Sequence, residues 1–551
     1  MVRFCCLLLL LASCAVYAAQ PQPVPLPLRI IAINDFHGHL QPPEGPAALV
    51  EGQPAGGAAY LAAHVRRLRE GAPHSVFVSA GDLVNASPFV SALFEDEPTI
   101  EAMDRMGLVL NAVGNHEFDD GVDELLRLQR GGCHPQRGCR FRDHFDGAHF
   151  RFLAANVTRN SDGQTLFPGY EIREFEGVKV AFIGLTLQGT RFMVNARGIQ
   201  GWTFRDEAET INALVPVLRR LGAAAIVVLI HEGGYGGGGP DECPQLSGAI
   251  AAILPRLAPG VDLVISGHTH QAYNCRVGGR VVTSAGSFGR LVTRIDLELD
   301  RTTGDVLAVR ARNEVVTRDV APDEAVNAVV REAATAAAAH DRPAGRMLAG
   351  ASRSGMYPPE IAAGSSGESA LGSLVADAQL WATREAGHGA AQIAFMNPGG
   401  LRADLSPGPD GRVQFSQLFA AQPFANALAT VTLTGAQIVE LLEQQFPGHR
   451  NAQNAPRVLQ VSAGFSYGWS ASAPPGQGVR DARLDGKPLE AAARYRVTVN
   501  DFLLSGGDRF GVLREAQDID VGPVDVDALE AYLQAHSPLT PPAPGRVRRT
   551  E

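Results

Sequence analysis

Residues 28–33, LRIIAI, run into Asn34-Asp35-Phe36-His37-Gly38-His39. A run this short and apolar reads as a buried β-strand. The polar residues and glycine directly after it read as a sharp turn that carries chemistry. The same grammar recurs down the chain. Ser75–Ser79 leads into Ala80-Gly81-Asp82, and Val109–Val113 into Gly114-Asn115-His116-Glu117-Phe118-Asp119. Ala225–Ile230 leads into His231-Glu232, and Val261–Ser266 into Gly267-His268-Thr269-His270. Arg151–Ala155, Lys179–Leu185 and Arg280–Ser284 are further strand-like runs. Helical patterns over Ala58–Glu70 and Asp206–Leu221 lie between them. Strands and helices in alternation predict a layered α/β domain.

In such folds the ligand crevice lies outside the carboxyl ends of the strands. Carboxylate, imidazole and amide oxygen at those ends suit a divalent metal. Asp35, His37, Asp82, Asn115, His231, His268 and His270 exceed what one zinc takes, about three or four protein ligands. The set suits two divalent ions sharing one bridging carboxylate. Two ions ~3.5–4 Å apart clamp the attacking and leaving oxygens of an in-line displacement and acidify a water between them. That chemistry belongs to phosphoester hydrolysis. The glycine-rich stretch Tyr235–Pro240 is not a phosphate-binding P-loop, since no Gly-Lys-Ser/Thr follows it. It reads as a flexible loop near the metals.

Beyond residue 286 the pattern changes. Strand-like alternation through 320 is followed by a helix over Pro322–His340, with Val326, Val329, Val330 and Ala333 on one face. From about 346 an α/β pattern restarts. It has a helix over Glu368–Thr383, strands at Gln392–Met396, Ala427–Leu433 and Arg496–Val499, and a helix over Gly435–Phe446. Polar residues again cluster in turns after strands. Asn397 and Arg402 suit anionic or ribose groups. Phe424 and Phe502 suit the two faces of a flat ring, and Asp508 suits ribose hydroxyls.

Asp35-x-His37, Gly81-Asp82, Gly114-Asn115-His116-Glu117, His231 and Gly267-His268-x-His270 together resemble the calcineurin-like metallophosphoesterases. Their order and spacing are similar to the exported 5′-nucleotidase branch, which includes bacterial UDP-sugar hydrolases. The resemblance implies a four-layer metallophosphoesterase sandwich over 28–320, a linker helix at 321–345 and a smaller α/β nucleotide-recognition domain at 346–540. It implies one metal on Asp35, His37, Asp82 and His270, and a second on Asp82, Asn115, His231 and His268, with Zn, Mn or Co as the ions. Some members carry Gln where this chain has His270, which implies a first site with its own metal preference. His116 with Asp119 resembles the family's catalytic dyad. Asn397–Arg402, Pro423-Phe424-x-Asn426 and Asn500-Asp501-Phe502…Gly507-Asp508 are similar to the family's substrate domain. There Phe424 and Phe502 would stack the base, Asp508 would bind ribose, and Asn426 would complete the pocket.

One departure stands out. Gly367 and Ser373 occupy places where many members carry Arg, leaving Arg402 in the expected phosphate clamp. The expected reaction is phosphate release from nucleotides by a metal-activated hydroxide. The thinner clamp keeps 2′,3′-cyclic-nucleotide phosphodiesterase and UDP-sugar hydrolase open as alternatives. A thiosulfohydrolase on the same scaffold is a third, disfavoured by the aromatic pair. A non-enzymatic nucleoside-binding surface protein is a fourth, disfavoured by the complete ligand set.

The 551 residues are 45% hydrophobic and 19% charged, enough for large cores and against disorder. A net charge of −10 with no basic stripe argues against a nucleic-acid partner. It leaves a nucleotide open, because metals and Arg402 supply positive charge locally. Residues 1–19 carry Arg3, an apolar run from Phe4 to Ala12 and then small residues, the pattern of a secretory signal too short to span a bilayer. Leu11-Ala12-Ser13-Cys14 also resembles a lipoprotein box, with Cys14 as the lipid anchor. Either way the expectation is export to the periplasm or cell surface. Of seven cysteines, Cys133, Cys139, Cys243 and Cys275 lie beyond the leader. An even number in an exported chain suggests two disulfides. The favoured pairing of the three available is Cys133–Cys139 and Cys243–Cys275.

Overall fold

In the computed structural model, which describes residues 25–44, 48–448 and 456–550, the strand Pro25–Ile33 lies inside a six-stranded sheet. It pairs in parallel with Ser75–Ser79, which continues to Leu110–Ala112 and Arg151–Leu153. On its other side it meets Leu291–Asp300 and then Val306–Val315 in antiparallel register. A second six-stranded sheet has Val178–Thr186, Ala223–His231, Leu263–Ser266 and Arg280–Ala285 in parallel. Antiparallel Tyr170–Phe175 and Ala272–Val277 close its two edges.

The two sheets pack face to face. Leu28, Ile30, Val78 and Leu110 meet Val180, Phe182, Val227, Leu229 and Ile265 between them. Alternate residues of the same strands, Ile31, Ile33 and Phe77, point the other way against helices Ala58–Arg69, Glu97–Met106 and Gly121–Arg130. Helices Glu207–Arg220 and Ala249–Ile253 cover the outer face of the second sheet. Helix, sheet, sheet and helix make four layers, as the resemblance implied. Burial on both faces is why the strands read as unbroken apolar runs.

Helix Glu324–Ala338 follows. Asp323 caps it, accepting from the N–H groups of Ala325 and Val326, and Val326, Val329, Val330 and Ala333 are buried. It packs on Ala58–Arg69 and Glu97–Met106. The chain then enters a five-stranded sheet in the order Gln460–Val461, Ile393–Met396, Arg494–Asn500, Ala427–Thr434, Gln517–Val524. Helices Ala370–Thr383 and Asp525–Ala535 cover one face, and Gly435–Glu443 the other. A four-stranded sheet ends on Val547–Arg549, beyond the expected boundary at 540.

One helix starts later than its pattern suggested. Ser369, not Glu368, is its edge: Ser369 Oγ accepts from Gly372 N at 3.0 Å. Glu368 Oε2 instead accepts from the backbone N–H groups of Gly545, Arg546 and Val547 at 2.7, 2.8 and 3.0 Å. It staples the last strand onto the domain.

Cys133–Cys139 and Cys243–Cys275 are bonded, the favoured pairing. Residues 1–19, with Cys5, Cys6 and Cys14 and the expected signal, lie outside the described residues. Among those described, no helix is long and apolar enough to cross a membrane. The chain-entropy account makes the bridge spanning 32 residues worth roughly 3–4 kcal/mol and the one spanning 6 roughly 2 kcal/mol. Replacing Cys243 and Cys275 by Ser should therefore lower the denaturant midpoint more than replacing Cys133 and Cys139. The reverse order in matched urea titrations would refute that ranking.

Candidate metal centre and substrate cavity

The carboxyl ends of both sheets meet at one point. Asp35, His37, Asp82 and Asn115 arrive from the first sheet, and His231, His268 and His270 from the second. Asp35, His37 and His231 are 0% exposed and Asp82 is 1% exposed. Asp35, His37 and His270 form one cluster of potential ligands and Asp82, His231 and His268 another, with the ligand atoms of each within 4.8 Å of one another. A third cluster joins His37, Asp82 and His116. His37 Nε2 lies 3.1 Å from His270 Nε2 and 3.6 Å from Asp82 Oδ2. His270 Nε2 lies 3.3 Å from Asp35 Oδ1.

The backbone is bent to bring these groups together. Asp35, His37, Asp82, His268 and His270 have φ of 50°, 47°, 53°, 72° and 55°, in the left-handed region. Such conformations cost roughly 1–3 kcal/mol each outside glycine and concentrate at functional sites. Close approach is equally demanding. A Cβ on Gly114 would sit 2.0 Å from Asp82 Oδ1, and one on Gly81 2.6 Å from His231 Nδ1.

The imidazoles are aimed. His37 Nδ1 donates to Asn85 O at 2.8 Å and His231 Nδ1 to Ala80 O at 2.7 Å, which turns both Nε2 atoms inward. Burial, then the charge of His231, pushes His268 down to about 3, so it stays a neutral donor. Burial also holds His37 well below its ordinary value, outweighing the pull of Asp82. His231 goes the other way. Burial lowers it, but Asp82 and then Asp35 more than offset this and raise it to about 10. A cation bound there takes the place of that proton.

Two atoms test whether ions fit. His231 Nε2 lies 2.8 Å from Asp82 Oδ2 without hydrogen-bond geometry, and Asn115 Oδ1 is buried with no hydrogen-bond partner. Buried polar atoms are normally satisfied. A buried imidazole nitrogen and a buried amide oxygen left unsatisfied beside two carboxylates are what divalent ions would satisfy, so the donor set fits two of them.

Glu117 completes the centre, and the sequence reading gave it no role. Its carboxylate accepts from the N–H groups of Asp82 and Leu83, each at 3.0 Å, from Gly114 N at 2.7 Å and from Asn111 Nδ2 at 3.1 Å. It fixes the turns that deliver Asp82 and Asn115. Beside it His116 Nδ1 bonds Asp119 Oδ2 at 2.6 Å. Burial opposes the imidazolium, but Asp119 and then Asp82 raise the His116 pKa above its ordinary value.

A cavity of about 660 Å³ opens onto this cluster. Asn115, His116, Asp119, His268 and His270 line it from one side, and Asn397, Arg402, Phe424, Asn426, Phe502 and Asp508 from the other. The ring of Phe424 runs parallel to that of His116 at 5.7 Å, with 15° between the planes. Phe502 lies on Gly507, where a Cβ would come within 2.5 Å of the ring. Asn426 Nδ2 reaches Asp525 Oδ2 at 3.4 Å. Every residue expected in the substrate pocket therefore lines one space, with Asp35, His37, Asp82 and His231 buried beneath it.

Two arginines on the wall were not foreseen. Arg353 lines the cavity beside Arg402, held by Asp404 Oδ1 at 3.2 Å and Leu401 O at 3.3 Å. Arg457 lines it beside Asp508. Gly367 and Ser373 are not among the lining residues. Gly367 abuts Val458, and Ser373 Oγ donates to Glu368 Oε1 at 2.8 Å. The glycine-rich loop reaches the cavity that opens onto the ligand cluster, with Tyr235 on its wall. Two of its glycines are closely packed, since a Cβ on Gly236 would lie 2.8 Å from Tyr273 Cβ and one on Gly238 2.7 Å from Glu242 Cβ.

Comparison with known proteins agrees with this geometry. The family model for calcineurin-like phosphoesterase matches residues 28–272, and that for the 5′-nucleotidase C-terminal domain matches 350–515. The chain is 31% identical over 542 residues to the endonuclease YhcR of Bacillus subtilis (strain 168), covering 96% of this chain but 41% of that one. It is 32% identical over 543 residues to the cell wall protein Lmo0130 of Listeria monocytogenes, covering 94% of this chain and 68% of that one. The crystal structure of the 5′-nucleotidase precursor from Thermus thermophilus superposes with a TM-score of 0.77 at 27% identity, over 96% of this chain and 100% of that one. Two domains in this order, with the ligand cluster at the ends of the paired sheets, mean that the chain belongs to the 5′-nucleotidase family of calcineurin-like, metal-dependent phosphoester hydrolases.

Proposed function

We propose that the protein releases phosphate from nucleotides as an exported 5′-nucleotidase. The observation that carries this is one cavity shared by the metal-ligand cluster and by Arg402, Phe424 and Phe502. Aromatic faces suit a base, and a guanidinium beside the ligand cluster suits a phosphate, so one cavity holds partners for both parts of a nucleotide. Asp35, His37, Asp82 and His270 would hold one ion and Asp82, Asn115, His231 and His268 the other, with Zn, Mn or Co as candidates. Bound there, the ions supply Lewis acidity at the phosphoryl oxygens and an acidified water as nucleophile.

The chain's own residues do the rest. Arg402 neutralises phosphoryl charge from the opposite wall, and Arg353 adds a second guanidinium that thickens the clamp. His116 has Nδ1 committed to Asp119, so Nε2 is the nitrogen that can hold a proton for the leaving oxygen. Asp508 accepts from ribose hydroxyls. The proposed division of labour follows the domains, with 28–320 for chemistry, 321–345 for linkage and 346–540 for substrate recognition. Export to the periplasm or cell surface, with Cys14 as the alternative lipid site, rests on residues 1–19.

The test is phosphate release from AMP, UDP-glucose, 2′,3′-cyclic AMP and p-nitrophenyl phosphate with added Mn²⁺, Co²⁺ or Zn²⁺. AMP should be hydrolysed, and silence on all of them would sink the enzyme reading. Phe502→Ala should raise KM for AMP by about tenfold, the worth of one stacking face. It should leave p-nitrophenyl phosphate within about twofold of wild type, since that ester needs no base stacking. Equal losses on both esters would remove the base-stacking role.

A further inference from the structure

Arg457 stands on the cavity wall with its Nη1 donating to Asp508 Oδ1. Asp508 Oδ2 accepts from Asn397 Nδ2 at 3.3 Å. The Asp508 side chain is 4% exposed and that of Arg457 31%, so the guanidinium is the open half of the pair.

That pairing changes what the ribose end can accept. A carboxylate alone takes hydroxyl protons and repels any phosphate esterified to the same ribose. A guanidinium joined to it cancels the charge and offers further N–H groups in a fork that matches phosphate oxygens. Dinucleotide sites make this choice between alternatives: an acidic side chain takes the ribose 2′-hydroxyl, or an Arg accommodates a 2′-phosphate. Here the two stand together on the cavity wall, which the proposed base-stacking ring of Phe502 also lines.

We propose that the ribose subsite accepts nucleotides bearing a second phosphate on O2′ or O3′, held by Arg457 as a specificity residue, while the 5′-phosphate enters the metal centre. The inference rests on the reading of the cavity as a nucleotide site. The step is hydrolysis. A water oxygen bonds to the 5′-phosphorus, the P–O5′ bond breaks, and O5′ leaves as a hydroxyl after taking up a proton. The ribose phosphate stays on the product, so adenosine 3′,5′-bisphosphate yields 3′-AMP and inorganic phosphate.

The experiment compares AMP with adenosine 3′,5′-bisphosphate on the full chain in Mn²⁺, with products separated by chromatography. Wild type should convert the bisphosphate to 3′-AMP with a KM within about threefold of that for AMP. Arg457→Ala should raise KM for the bisphosphate about tenfold or more and that for AMP about threefold or less, because a charge-assisted contact is lost only with the former. Arg457→Lys should recover part of the difference. A wild type that hydrolyses AMP but leaves the bisphosphate intact would overturn the proposal. So would release of the 3′-phosphate, leaving 5′-AMP. Equal losses on both substrates in both variants would reduce Arg457 to a support for Asp508 and end its role in specificity. Failure on AMP itself would instead bring down the nucleotide reading, and this inference with it.

Discussion

Asp82→Ala should empty the centre of both ions and remove most of the phosphate release. Asp82 is 1% exposed, and His231 Nε2 at 2.8 Å and His37 Nε2 at 3.6 Å flank its Oδ2. It also anchors the neighbouring turn, since Oδ1 accepts from His116 N at 2.9 Å. Loss of an outer-shell partner costs about 10–100-fold in metal affinity or activity. A carboxylate shared by two ions should exceed that, with a fall in kcat on the order of 10³-fold. Elemental analysis is the direct readout, and circular dichroism should remain that of the folded chain. Unchanged metal content would overturn the bridging role even if activity fell.

The second large effect comes from a residue with no side chain. Gly114→Ala places a methyl group 2.0 Å from Asp82 Oδ1 and 2.6 Å from Asp82 N. The neighbour cannot yield cheaply, because Glu117 ties Asp82 N and Gly114 N to one carboxylate at 3.0 and 2.7 Å. The expected outcome is a displaced Asp82 and a loss of about 10²-fold in kcat, the scale of a 1 Å misplacement. The variant keeps every ligand of the centre, so the loss isolates geometry from chemistry. Activity within about tenfold of wild type would show that the turn relaxes and that close approach at Gly114 is not required.

The fold was legible because its strands are buried on both faces. Leu28–Ile33 and Ala225–Ile230 announce themselves by composition, and their ends by Asp35 and His231. The cluster of potential ligands was legible for the same reason, since each member lies at or shortly after the end of a strand. What remained hidden depends on separate segments meeting. Glu117 looks like one more acid in a motif until the backbone donors of Asp82, Leu83 and Gly114 converge on it. Arg353 and Arg457 lie in ordinary loops, and no spacing marks them as cavity residues. The places of Gly367 and Ser373 suggested a thin clamp, but neither residue lines the cavity and Arg353 does. Helix onset at Ser369 was obscured because Glu368 is a good helix former whose carboxylate is committed to a distant strand.

The two sheets of the first domain are held together along their length by apolar side chains, but at their carboxyl edge the seam is polar. Asp35, His37 and Asp82 face His231, His268 and His270 across it. Divalent ions bound there would join the two halves of the sandwich at that edge. The groups proposed to hold the ions also close one end of the fold, so bound ions would add to the stability of a scaffold that keeps its fold without them.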